Sequence, residues 1–97
     1  MTDREYMITF GYVLNKKIGN NKQRGIYPGT QRELSEASGI TEAAISRYIK
    51  ANRLPNARNL CRLADALGCT IDELTRFDIE TVERALYIHN LPNLPKR

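Results

Sequence analysis

The sequence is poor in the side chains on which metal and redox chemistry depend. Its 97 residues contain one histidine and two cysteines, and Cys61 and Cys69 form neither a CxxC pair nor part of a paired histidine motif. A zinc or redox site needs several such side chains at fixed spacing. We therefore expect no metal site, and we interpret both thiols as small, semi-buried hydrophobic residues in a reducing environment.

Long apolar runs are also missing. No stretch approaches the roughly 18 apolar residues of a membrane-spanning helix, and the opening residues MTDREYM lack the apolar core of a signal peptide. These absences favour a cytoplasmic protein with no membrane contact. At 41% hydrophobic residues the chain can still build one core, and its length leaves little room for a second.

Signatures of catalysis are absent from the sequence as well. It contains no nucleophile elbow, no glycine-rich phosphate loop and no pair of carboxylates placed to share a cleft. His89 has no catalytic partner in the pattern and is interpreted as a surface residue. We therefore predict that the protein is not an enzyme and that it needs no cofactor.

The positive charge of the chain is concentrated in its middle. The net charge is +4, yet residues 16–62 contain ten basic and three acidic residues, whereas the segments on either side are net acidic. A protein that faces a phosphate backbone along one surface has this distribution. A merely solvated basic segment has it too, so charge by itself does not assign the function.

The hydrophobic pattern predicts a series of short helices and no strand. An apolar stripe at helical spacing indicates a first helix from about Glu5 to Lys17 or slightly beyond, followed by a Gly- and Asn-rich loop over 19–29. The stripe consists of Met7, Phe10, Val13, Leu14 and Ile18. The last seven residues, LPNLPKR, are proline-rich and are expected to be extended or frayed.

Capping residues and glycine stops predict five further helices. The N-caps are expected at Thr30, Thr41, Asn56, Thr70 and Asp78. Capping boxes are expected where Glu33 follows the first of these and Glu73 follows the fourth. Gly39 and Gly68 are expected to end the second and fourth helices.

The segment from Thr30 to Pro55 contains two short helices joined by a turn at Gly39. Its sequence is TQRELSEASGITEAAISRYIKANRLP. Leu34 and Ile45 are placed to lock the helices together, and Ile40 is placed to fill the corner between them. This pattern is typical of a helix-turn-helix, in which the second helix enters the major groove of DNA.

From Thr30 to Leu74 the sequence resembles the lambda-repressor-like family of helix-turn-helix regulators, also called the Cro/CI or XRE type. The segments TQRELSEASGIT, ISRYI, NRLP and LCRLADALGCTIDEL stand at the spacing of that family. The resemblance implies an all-α, compact five-helix DNA-binding domain over residues 1–77, with its helix-turn-helix at about 31–50. Residues 78–97 then add a C-terminal helix and tail that can serve in dimerisation.

Three positions depart from the family pattern. Ser35 replaces the usual alanine, and Ile49 and Ala51 stand where a glutamate and a glycine commonly follow the core of the third helix. The loop before Thr30 also looks several residues longer than usual. Ile49 either contacts a partner or packs against that long loop.

The resemblance also implies which residues contact DNA. The base-reading positions of the family are occupied by Glu42, Ala43, Ser46 and Arg47. Arg47 can grip guanine with two hydrogen bonds, Ala43 can touch a thymine methyl group, and Ser46 can serve either base type. Glu42 either accepts a hydrogen bond from cytosine or only stabilises the start of its helix.

Contacts to the phosphate backbone are implied at the starts of the helices and in the loop after the reading helix. These positions are Gln31, Thr41, Lys50, Asn52, Arg53 and Asn56. A helix N-terminus attracts anions, which supports the role of Gln31. Four further bases, Lys16, Lys17, Lys22 and Arg24, either add backbone contacts from the long loop or are simply solvated.

Two functions fit these observations. The leading prediction is a sequence-specific regulator of transcription that binds double-stranded DNA, a repressor of phage or mobile-element type. Such domains usually bind as homodimers to half-sites about one helical turn apart, roughly 34 Å. The alternative is an interaction module, such as an antitoxin or antirepressor that sequesters a protein partner through the acidic stretch from Asp72 to Glu83.

The last helix leaves a second choice open. Ile79, Val82 and Leu86 form an apolar stripe that a two-fold dimer could bury from both copies. Alternatively, this helix folds back on the first and fifth helices of its own chain. A regulatory protein partner is compatible with either arrangement.

Overall fold

The computed structural model describes residues 1–91, which form six α-helices and contain no strand. The helices are α1 (Asp3–Gln23), α2 (Gln31–Ser38), α3 (Glu42–Ile49), α4 (Ala57–Leu67), α5 (Ile71–Thr75) and α6 (Ile79–Asn90). The all-α prediction is confirmed, and α2 to α6 begin at the N-caps that the sequence indicated. From residue 92 onward the tail predicted to be extended lies outside the described residues.

The first helix is longer than the sequence predicted. α1 continues through Gly19 to Gln23 instead of ending near Lys17, so the prediction of a loop over 19–29 was wrong in its first part. A glycine inside a helix costs only about 1 kcal/mol relative to alanine. That cost does not end a helix whose preceding turn is anchored by the buried Ile18.

A true stop signal ends α1 a turn later. Gly25 has a φ of +69°, and the Ile26 amide donates to the Asn21 carbonyl at 2.8 Å. Glycine, which has no Cβ atom, adopts this left-handed termination without a steric penalty. The connection to α2 is consequently short, and the backbone of Lys22 lies directly against Gly29.

One apolar core holds α1 to α5 together. Leu34 and Ile45 are fully buried between α2 and α3, as the helix-turn-helix pattern predicted. The buried core residues are Phe10, Leu14, Ile18, Leu34, Ile40, Ile45, Tyr48, Leu63, Ala64 and Leu74.

The last helix lies along the first. α6 packs against α1, and its Ala85 is buried in a small cluster with Ile8 and Ala51. Leu86 is half-buried beside this cluster. One side of α6 is therefore used inside the chain, in the fold-back arrangement over α1.

Candidate nucleic-acid interface

The start of α2 is fixed by two hydrogen bonds that involve Glu33. The Thr30 hydroxyl accepts from the Glu33 amide at 3.1 Å, as the expected capping box requires. The Glu33 carboxylate, however, accepts from the amide of Gly29 at 2.8 Å, not from that of Thr30. Gly29 is buried whereas Thr30 is exposed, and a buried amide has the greater need of an acceptor.

The turn between α2 and α3 is held by side-chain hydroxyls as well as by glycine. Gly39 has a φ of +75°, and its amide donates to the Ser35 carbonyl at 3.0 Å. The Ser35 hydroxyl donates to the Ile40 carbonyl at 2.6 Å, and the Ser38 hydroxyl accepts from the Ile40 amide at 3.2 Å. The serine that replaces the usual alanine thus adds a hydrogen bond across the turn, which sequence reasoning missed.

The third helix presents a polar face to solvent and an apolar face to the core. Ala43, Arg47 and Lys50 are exposed at helical spacing, and the half-buried Ser46 lies beside them. Ile45 and Tyr48 are buried on the opposite side. The helix starts at Thr41, whose hydroxyl accepts from the Ala44 amide at 3.1 Å.

Two residues lie on the flank of this face. Glu42 is exposed in the first turn of α3, where a carboxylate meets the positive end of the helix. Ile49 comes seven residues later on the same flank and is half-buried against the main core. Ile49 therefore packs against the core, and the expected long loop is not present for it to contact.

The third helix is braced from behind by α1 and α4. A Cβ atom built on Gly11 of α1 would lie 2.6 Å from the carbonyl oxygens of both Tyr48 and Ile49. From the other side, the Asn59 amide group donates to the Tyr48 hydroxyl at 3.1 Å. Neither contact was predicted from the sequence.

The positions implied to contact phosphate lie at the ends of these helices. Gln31 is the first residue of α2, Lys50 caps the end of α3, and Asn52 and Arg53 are exposed in the following loop. Asn56 caps α4, where its side-chain oxygen accepts from the Asn59 amide at 2.8 Å. The amide group of Asn56 keeps its two N–H donors, which are the atoms that a phosphate needs.

The four further bases that were left open between backbone contact and solvation fall into two pairs with different surroundings. Lys17 lies 4.0 Å from Glu73 of α5, and Lys16 lies over the ring of Tyr12. Both lysines line a groove between α1, α5 and α6. Lys22 and Arg24 lie instead at the end of α1, next to the residues that lead into α2.

The two cysteines differ in exposure. Cys69 is half-buried, and burial raises the pKa of its thiol above the ordinary value, partly offset by the nearby Lys17. Cys61 is exposed on α4, so the prediction of a semi-buried residue was wrong there. The apolar side of α4 is occupied by Leu63 and Ala64, and Cys61 lies outside it.

Residues 1–91 contain no group of histidine, cysteine and acidic side chains arranged to hold a metal ion. Within the same residues, no helix is long and apolar enough to cross a membrane.

Comparison with known proteins agrees with this geometry. Residues 29–74 match the sequence profile of a helix-turn-helix family. The chain is also 33% identical over 61 residues to the cryptic phage CTXphi transcriptional repressor RstR of Vibrio cholerae serotype O1, an alignment that covers 63% of this chain and 53% of that protein. No solved structure matches the chain significantly.

The matched segment contains α2 to α5, including the turn at Gly39 and the whole exposed face of α3. The fold around it is all-α and has a helix-turn-helix at the expected place. Residues 29–74 therefore carry the helix-turn-helix segment that the sequence predicted, and the profile, the relative and the architecture support the resemblance to the lambda-repressor-like, XRE-type regulators.

Proposed function

We propose that the protein is a sequence-specific transcriptional repressor of phage or mobile-element type, which binds double-stranded DNA and blocks a promoter. The observation that carries the proposal is the exposed polar face of α3 on a rigid helix-turn-helix. The similarity to a phage transcriptional repressor supports the repressor assignment.

Base reading is proposed for Glu42, Ala43, Ser46 and Arg47, all in α3. Arg47 is exposed and carries no ion pair within residues 1–91, so its guanidinium is free to form two hydrogen bonds with a guanine. Ala43 lies one turn earlier on the same line and offers a methyl contact to thymine. Glu42 stands at the edge of the face, where it serves the helix start and can accept from cytosine.

Phosphate contacts are proposed on both sides of this face. The first group lies at the helix starts and comprises Gln31 and Thr41. The second lies at and after the end of α3 and comprises Lys50, Asn52, Arg53 and Asn56. Such contacts fix the register of the protein on the duplex and leave the base sequence to α3.

We further propose that two copies meet through the outer side of α6. Val82 and Leu86 are half-buried within their own chain, whereas Ile79 is 71% and Tyr87 65% exposed. Ile88 and Leu91 extend the exposed apolar side chains toward the end of the helix. This side also carries Glu80, Glu83 and Arg84. In an antiparallel pair, the acidic residues of one copy can face the arginine of the other.

Selection of bound duplexes from a random DNA pool tests the function and the symmetry together. We expect an enriched sequence with two inverted half-sites about one helical turn apart, roughly 34 Å between centres. Enrichment of a single unrepeated half-site would contradict the dimer. Absence of any enrichment in low salt would contradict the proposed function.

A further inference from the structure

The loop after the reading helix turns at a residue that is unusual for its backbone conformation. Ala51 has a φ of +62°, and among residues 1–91 it is the one non-glycine residue with a positive φ. A Cβ atom makes this region unfavourable, by roughly a factor of 5 to 30 in population. Left-handed helix ends therefore usually use glycine.

Two backbone hydrogen bonds nevertheless close the end of α3 around Ala51. The Ala51 amide donates to the Tyr48 carbonyl at 3.2 Å, and the Asn52 amide donates to the Arg47 carbonyl at 2.9 Å. The second of these bonds joins the proposed phosphate loop directly to the backbone of Arg47. The position of the loop and the end of α3 are consequently set by the same turn.

Three residues from outside the helix-turn-helix hold this turn in place. Ala51 is 1% exposed and packs with Ile8 of α1 and Ala85 of α6. The guanidinium of Arg4, in the first turn of α1, donates to the Ala51 carbonyl. These contacts stabilise a conformation that the alanine itself disfavours.

We infer that Arg4 is a positioning residue that latches the turn at Ala51 and thereby holds Asn52 and Arg53 in place to contact DNA. The latch rests on the fold alone, and its effect on affinity rests on the proposed function. When the latch is lost, a smaller fraction of the protein has the loop in its binding geometry. The measured dissociation constant rises in inverse proportion to that fraction.

Amide hydrogen exchange of the free protein tests the latch without DNA. Arg4→Met is expected to speed exchange of the Asn52 amide roughly threefold to tenfold, the scale of one lost hydrogen bond. Arg4→Lys keeps a donor and is expected to restore most of the protection. Arg76→Met removes the same charge from the exposed end of α5 and should leave this amide unchanged. Unaltered exchange in Arg4→Met would overturn the inference.

A double-mutant cycle tests the effect on DNA binding. Arg4→Met is expected to weaken binding roughly threefold to tenfold in the wild-type background, and less than about twofold when Ala51→Gly is also present. Glycine adopts a positive φ without a steric penalty, so the hydrogen bond from Arg4 contributes less to the stability of the turn in the Ala51→Gly background. An equal loss in both backgrounds would show that Arg4 acts by another route, such as direct contact with phosphate.

Failure of the proposed function and failure of the latch give different results. A wild-type protein that binds no duplex contradicts the proposed function, while the exchange data still decide whether the latch exists. Arg76→Met also serves as the charge control in the binding assay, because it lowers the net charge by one at an exposed residue outside the turn and outside the surfaces proposed to contact DNA or a second copy.

Discussion

Arg47 and Arg53 are both exposed arginines, six positions apart, yet they occupy different kinds of backbone. Arg47 lies on the outward face of α3, one turn after Ala43, whereas Arg53 follows the turn at Ala51. A side chain on the helix can enter the groove and meet base edges. A side chain in the loop beyond the helix end is placed to meet the phosphates that border the groove.

Substitution of the two arginines should therefore give different binding profiles. Arg47→Ala is expected to cost about 1–3 kcal/mol on the selected site and to relax the preference at one base pair. Arg53→Ala is expected to weaken all sequences alike and to reduce the salt dependence by about one counterion. Binding measured against a panel of single-base variants at several salt concentrations distinguishes them. Two mutants with the same profile would refute the assignment.

At the scale of elements, the position of α3 depends on how closely α1 approaches it. Gly11 provides that approach, because a Cβ atom there would meet two backbone carbonyl oxygens at 2.6 Å. Gly19 lies in the same helix but has no atom within 4 Å of the equivalent position. The two glycines form a matched pair, in which one is required by packing and the other is merely tolerated.

Alanine substitutions at the two glycines should have opposite effects on stability. Gly11→Ala is expected to lower the free energy of unfolding by about 1–3 kcal/mol, because rigid backbone must move to admit the methyl group. Gly19→Ala is expected to raise it by about 0.5–1 kcal/mol, as for any exposed helical glycine. Denaturant unfolding of both variants measures this. Destabilisation by Gly19→Ala, or none by Gly11→Ala, would contradict the packing described.

The boundaries of α2 to α5 could be predicted from sequence because local chemistry sets them. Capping side chains at Thr41 and Asn56 and the stop at Gly39 act within a few residues of the chain. The C-terminal end of α1 could not be predicted from local sequence signals. Gly19 and its asparagine neighbours have low helix propensity, yet tertiary packing and the later stop at Gly25 decide where the helix ends.

Contacts between residues far apart in the chain could not be predicted from the hydrophobic and capping pattern of the sequence. The face of α3 proposed to read bases was assigned by resemblance, and it coincides with the exposed side of the helix. The hydrogen bond from Arg4 to Ala51 joins residues 47 positions apart and leaves no periodic signal. The sequence shows an alanine at position 51, where the family that it resembles commonly has a glycine. The structure adds the contacts with Arg4, Ile8 and Ala85 that stabilise the turn.

For the whole molecule, the distribution of charge matches the two proposed roles, DNA binding by the middle segment and contact with a second copy through α6. The basic residues are concentrated in residues 16–62, a range that contains the helix-turn-helix, whereas α5 and α6 contain four acidic residues and one arginine. The segment proposed to face DNA is therefore cationic. The helix proposed to face a second copy carries both signs, which suits contact between two protein surfaces.

The most direct test of the central claim is the salt dependence of binding to the selected duplex, measured beside a scrambled duplex of equal length. About five to eight phosphate contacts per dimer predict a log–log slope of about −0.9 per contact, with the selected duplex bound more tightly at every salt concentration. A slope near zero, or equal affinity for both duplexes, would contradict the account of α3 as a DNA-reading helix.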